Sequence, residues 1–262
     1  MVRNLKLIFI LFKHSSKRYL ENRWSTFGNF VSASLEIAIF IFFISFIFSF
    51  TKSLNGWDKN HVLLLVGISQ LVTALYNFLF RRSVNRFPDL VRAGELDLLL
   101  TKPMNTQLYA SFRSTKPFEL LNTITGLAIT AYALHQIGNS FGILNWLLLL
   151  VGITCGVLVL YSICFSFTIL SFWSPKLSSA SSILEILTTP LTLPTDIYGQ
   201  PMSFIVTFVI PIGLVVTVPV KLFLGSISAY FILIEVLLTL IFFYGCTRFW
   251  NYAVKGYTSA SS

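Results

Sequence analysis

Charged side chains are scarce in this sequence. Only 11% of its 262 residues are Asp, Glu, Lys or Arg, against roughly a quarter in an ordinary soluble domain. So few charges cannot cover a water-facing surface, which excludes a soluble globular fold and leaves lipid as the solvent. Cysteine and histidine are rare too, with three of each. Cys155, Cys164 and Cys246 lie inside apolar runs without CxxC spacing, so they read as small core side chains, not a disulfide or metal set. His14, His61 and His135 are far apart, which argues against a metal centre. No G-x-x-x-x-G-K-[ST] loop is present, so the chain does not itself hydrolyse ATP by that route, and G-x-S-x-G and H-E-x-x-H are missing as well. The ten acidic residues are spread thinly, without the convergent polar cluster that an enzyme needs. The chain is expected to have no catalytic residues.

Apolar residues make up the balance. The sequence is 55% hydrophobic with 26 Phe, and its mean hydropathy is +0.77. Six stretches approach the roughly 20 residues that a bilayer helix needs: 27–50, 61–80, 118–137, 143–172, 203–222 and 227–247. The expected fold is therefore all-α, a polytopic transmembrane helical bundle of six spans forming one domain over 1–262. Trp57, Trp146, Trp173 and Trp250, with Arg81, Arg82 and Arg248, fall near the expected interfaces. Gly152 and Gly156 form a G-x-x-x-G that permits close helix approach, read first as packing within the chain.

The first residues are not expected to form a cleavable signal: the apolar run from Leu7 to Phe12 is short, and Lys13, His14, Lys17 and Arg18 follow it. Leu5, Ile8, Phe9 and Phe12 share a helical stripe, while Arg3, Lys6 and Lys13 lie off it. This pattern predicts an amphipathic helix over 1–24 in the membrane interface, with Arg3, Lys6, Phe9 and Phe12 as its contacts to lipid. A disordered basic tail is the alternative.

Lysine and arginine set the orientation. Sixteen of them fall in the N-terminal segment, the 81–117 loop, Lys176 and the C-terminal tail, against three in the alternate loops (Lys52, Lys59, Lys221). Both termini and the 81–117 loop are thus expected in the cytoplasm. The same asymmetry accounts for the net charge of +9 without any nucleic-acid partner.

Residues 174–202 have two readings. They form a cytoplasmic loop before a span at 203–222, or 178–198 is a weakly apolar span and 203–222, broken at Pro211 and Pro219, is a re-entrant hairpin on the outer side. Two acids fall inside spans, Glu36 and Glu235. A charge at mid-bilayer costs about 2.5–3.5 kcal/mol on insertion scales, so each should face protein or water. They either line a translocation path or lock helices together as neutral, hydrogen-bonded acids.

The loop from 81 to 117 is long for a connector. Pro88 suits the first position of a short helix, Asp89 complements its positive end, and Asp89 and Arg92 share a face. Gly94 permits a turn, leucines follow at 96 and 98–100, and Pro103 ends the element. The expected product is a short amphipathic helix offering charge to a soluble partner.

The order of several motifs resembles the membrane-spanning subunits of type-2 ABC exporters, a bacterial branch of about 260 residues. They are Gly94-Glu-Leu-Asp-Leu-Leu-Leu-Thr-Lys-Pro103, Phe172-Trp-Ser-Pro175, Ile197-Tyr-Gly-Gln-Pro201, Val206-Thr-Phe-Val-Ile-Pro211 and the terminus from Phe249 to Ser262. The resemblance covers essentially the whole chain and rests on order and spacing rather than on any single motif. Gly199, where the family often has proline, and Lys255-Gly-Tyr-Thr258, where Arg-Arg-Tyr-Ser is common, are small departures.

The resemblance implies a bacterial plasma-membrane permease, paired with an identical or homologous permease, with two copies of a cytoplasmic ATPase that bind ATP and Mg. The loop helix would be the coupling helix, with Arg86, Asp89, Arg92, Glu95, Asp97 and Lys102 available to the ATPase. The N-terminal helix would be the elbow helix, and a broken outer hairpin would precede the last span. A secondary transporter using Glu36 and Glu235 and a non-transporting scaffold are the competing readings. The first would show an inverted repeat, which this sequence lacks.

Overall fold

The computed structural model describes residues 23–101, 105–138, 140–173, 182, 185–187 and 190–257. These form helices and turns, with one isolated bridge between Leu54 and Trp57, in keeping with the all-α expectation. The predicted elbow-helix contacts Arg3, Lys6, Phe9 and Phe12 lie outside the described residues, as does Lys102.

In chain order the main helices are α1 Arg23–Phe50, α2 Lys59–Tyr76, α3 Arg82–Arg92, α4 Glu95–Leu100, α5 Thr106–Phe112, α6 Leu120–Ile137 and α7 Ile143–Ile169. The short α8 Ile212–Val215 and α9 Thr217–Phe223 precede α10, Phe231–Lys255. Among the described residues, four stretches are long and apolar enough to cross a membrane: Phe30–Phe50, Lys59–Arg92, Ile143–Phe172 and Phe231–Lys255. α6 coincides with the stretch expected at 118–137 but is more polar, carrying Asn122, His135 and Gln136.

Small residues set how these helices meet. Gly67 and Gly126 bring α2 and α6 together antiparallel: a Cβ on Gly67 would lie 2.8 Å from the Thr130 nitrogen, and one on Gly126 3.0 Å from the Leu71 side chain. α7 packs against α10, α9, α8 and α2. The G-x-x-x-G on α7 serves packing within the chain, as expected. A Cβ on Gly152 would sit 2.7 Å from Pro219, and one on Gly156 2.5 Å from the Val215 carbonyl oxygen.

Span two corrects the expected loop helix. α2 passes without a stop through a widened turn at Asn77–Arg81 into α3, so Pro88 lies inside a helix, not at its first position. An interior proline costs about 3 kcal/mol. Phe87, fully buried, offsets that cost. Its ring meets Phe165 at 5.9 Å, Phe172 at 5.6 Å and Trp250 at 5.4 Å. Burial of such a ring returns about 1.5–3 kcal/mol, and each aromatic pair adds about 0.5–1.5 kcal/mol. The turn then falls at Gly94, whose φ of 68° is left-handed.

Two of the expected interfacial tryptophans belong to the interior. Trp250 is buried in that aromatic cluster, and Trp57 is buried with its indole donating to Asp196. Trp146 and Trp173 are exposed.

The bundle has two distinct ends. Trp173 stacks on Phe249 and Tyr252 near the end of α10. Asp196 sits with Trp57, which precedes α2, and with Lys221, at the opposite end. Trp173 and Asp196 therefore lie at opposite ends of the bundle, while most of 174–189, on which the two readings of 174–202 turn, lies outside the described residues. The stretch 203–222 is broken as the hairpin reading requires: a widened turn at Ile205–Val209, an interruption at Ile210 and Pro211, then α8 and α9. Buried threonines stitch the break. The Thr195 and Thr207 hydroxyls lie 3.1 Å apart, and the Thr195 amide donates to the Thr217 hydroxyl at 3.3 Å. Backbone freed at a break of this kind needs such cover.

Candidate functional site

α3, α4 and α5 form a cap on the end of the bundle that carries Trp173. Its inner face is locked by Phe87, Leu96 and Leu99, all buried. Two serines fasten its return to α6: the Ser83 hydroxyl donates to the Ser114 carbonyl and accepts from the Ser114 amide, both at 2.9 Å. The Lys116 amide reaches back to the Phe78 carbonyl at 3.1 Å.

The outer face carries the charge. Arg86, Asp89, Arg92 and Glu95 are exposed, and Asp97 is half-buried. Asp89 and Arg92 pair at 3.4 Å on their shared face, and Glu95 pairs with Arg113 at 3.0 Å. Exposed pairs of this kind are worth under about 1 kcal/mol, so they do not explain the cap's stability. Leu98 stands among them, 68% exposed, while its neighbours Leu96 and Leu99 turn inward. An apolar side chain ringed by charges has the composition of a docking patch. Helical spacing in the run 95–100 was the signal that separates Leu98 from its neighbours.

The two intramembrane acids occupy opposite settings. Glu36 lies on the exposed side of α1, a helix on which Ile44 alone is buried among the described side chains. Glu235 on α10 is fully buried, and neither carboxyl oxygen has a hydrogen-bond partner among the described residues. α1 packs on α6 and α2, α10 on α7 and α9, so the two carboxyl groups are not brought into one site.

Sequence reading missed two polar clusters. One joins Asp196 to Lys221 at 2.7 Å and to the Trp57 indole at 2.9 Å, with the Asn55 amide donating to the Asp196 carbonyl. The other surrounds the Tyr161 hydroxyl, where α5, α7 and α10 meet. The contacts that join their elements link residues 25 to 141 apart in the chain, so no local pattern announces them.

The sequence matches a known family. A family profile described as "ABC-2 family transporter protein" matches residues 35–261. No curated protein and no solved structure matches the chain.

Proposed function

Because this chain belongs to the ABC-2 family of transporter membrane proteins, a non-catalytic membrane subunit, we propose that it forms the translocation pathway of an exporter together with a second permease, identical or homologous, and is driven by two copies of a separate cytoplasmic ATPase that bind ATP and Mg. The observation that carries this reading is the cap over α3–α5. Its inner face is anchored in the bundle by Phe87, Leu96 and Leu99, while Arg86, Asp89, Arg92 and Glu95 surround the exposed Leu98 on its outer face. A short element held firmly on one side and presenting an apolar centre with a charged rim on the other suits a soluble partner that pushes on the bundle.

The positive-inside asymmetry supports a cytoplasmic location for this cap and both termini, and the family resemblance supports a bacterial plasma membrane. On this reading the broken 202–223 segment faces the outer side. Glu36 supports the pairing. An acid on the bare face of an apolar helix costs about 2.5–3.5 kcal/mol against lipid, and a second permease or a water-filled path between two permeases removes that cost. The separation of Glu36 from Glu235 within one chain disfavours a secondary transporter built on the two acids.

Mild-detergent purification from the native membrane, with mass spectrometry of the associated proteins, tests the proposal. A stoichiometric P-loop ATPase is expected. A chain that stays alone even after crosslinking overturns the reading in favour of a secondary transporter or scaffold.

A further inference from the structure

A phenol hydroxyl buried between apolar helices must find hydrogen-bond partners, because an unmade bond there keeps the full desolvation cost. Tyr161 on α7 is 3% exposed. Its hydroxyl lies 2.7 Å from the Ser111 hydroxyl and 3.5 Å from the Gln107 side-chain nitrogen, both on α5. The same Gln107 nitrogen donates to the Thr247 hydroxyl on α10 at 3.4 Å. The Ser111 hydroxyl also reaches the Gln107 backbone carbonyl at 2.8 Å, and Thr247 reaches the Phe243 carbonyl at 3.0 Å.

With the Gln107 amide oriented as it is here, one assignment of protons uses every donor. Ser111 and Thr247 each spend their only hydroxyl proton on a backbone carbonyl, so each accepts from its other partner. Tyr161 therefore donates to Ser111, and the two N–H bonds of Gln107 go to Tyr161 and Thr247. Every donor in the set is used once. A buried polar set satisfied in this way holds its members in register, which non-directional apolar contact does not.

The location gives this set its meaning. α5 belongs to the cap that faces the proposed partner. α7 and α10 run from there to the far end, where α7 is keyed through Gly152 and Gly156 into the broken hairpin. We infer that Tyr161 is a positioning residue that ties the partner-facing cap to α7 and α10 through Ser111 and Gln107, so that displacement of the cap moves both helices together. The inference rests on the ATPase-driven reading above.

Tyr161→Phe isolates the hydroxyl, because the ring keeps its own frame: Phe80 at 4.6 Å, Phe165 at 5.3 Å and Phe243 at 6.1 Å. The test uses the full complex with its copurified ATPase in lipid nanodiscs. The reporter is Ser226→Cys, exposed just beyond α9 and read by a polar maleimide with and without vanadate-trapped nucleotide. The native cysteines are buried and give a low background.

With Tyr161 intact, trapping should change the labelling rate of the Ser226→Cys reporter. In Tyr161→Phe the change should shrink about fivefold or more, with the ATPase still bound at the same ratio and still hydrolysing ATP. Ser111→Ala, which removes the same bond from the other side, should do likewise, and serves alone if Tyr161→Phe does not fold. Thr168→Val, which removes an α7 hydroxyl bonded within its own helix to the Cys164 carbonyl, should respond like the parent. An undiminished response in Tyr161→Phe and Ser111→Ala overturns the inference. So does a parent complex whose labelling ignores nucleotide. If no ATPase copurifies, it is the exporter reading itself that fails.

Discussion

The two ends of the bundle are held by different forces. At the capped end, aromatic rings from α7, the turn that follows it and α10 close around Phe87 of α3, and the charges lie outside that cluster on the surface. At the far end, a half-buried ion pair between Asp196 and Lys221 joins a segment whose helices repeatedly break. The contrast teaches which end is built to carry load as one body and which is built to part. A ring cluster excludes water and yields only at the cost of a cavity. An ion pair with a quarter of each side chain exposed exchanges protein partners for water at far smaller cost.

The comparison is most easily broken at Phe87. Phe87→Ala should lower stability by about 3–5 kcal/mol and abolish ATPase copurification, read from thermal unfolding in detergent and from pull-down. A variant as stable as the parent would mean that the ring cluster does not hold the cap. Next comes the seam between α7 and the hairpin. Gly156→Leu must move the Val215 backbone, which a Cβ would meet at 2.5 Å, and should cost about 3 kcal/mol by the same unfolding measurement. Tolerance of leucine there would show that the hairpin does not seat on α7.

Asp196→Ala should cost about 2 kcal/mol by stranding the Trp57 indole and the Lys221 ammonium, yet leave ATPase binding unchanged, which separates the two ends functionally. Loss of the ATPase in this variant would erase the distinction. The smallest effect on stability belongs to Asp89→Arg combined with Arg92→Asp. Both side chains are exposed, so unfolding should shift by about 0.5 kcal/mol or less, while affinity for the ATPase falls about tenfold. Unchanged ATPase affinity would remove this face from the docking surface.

Several elements were legible from composition alone. The stretches at 118–137 and 143–172 reappear as α6 and α7 within a few residues, because charged or turn-forming residues bound each apolar run. The break at Pro211 was legible, whereas Pro219, expected as a second break, lies inside α9 and the interruption falls at Val216. The path of α3 was not. Pro88 reads locally as a helix start, and only the enclosure of Phe87 by residues 78 to 163 positions away reverses that preference. Trp57 and Trp250 mislead for a related reason. Tryptophan suits an interface, but both rings find protein partners that no nearby residue announces.

The sequence by itself determined the class of this protein, the approximate positions of its apolar helices and the asymmetry of its positive charge. These follow from transfer free energies that add residue by residue and need no knowledge of neighbours. Only the tertiary structure decided which polar groups meet: Asp196 with Lys221, Tyr161 with Ser111, Glu235 inside and Glu36 outside. A helix that is apolar on every face carries no stripe to fix its rotation. Its rotation and depth are set where glycines let one particular neighbour approach, and those contacts place each rare polar side chain against a partner, in the interior or on an open face.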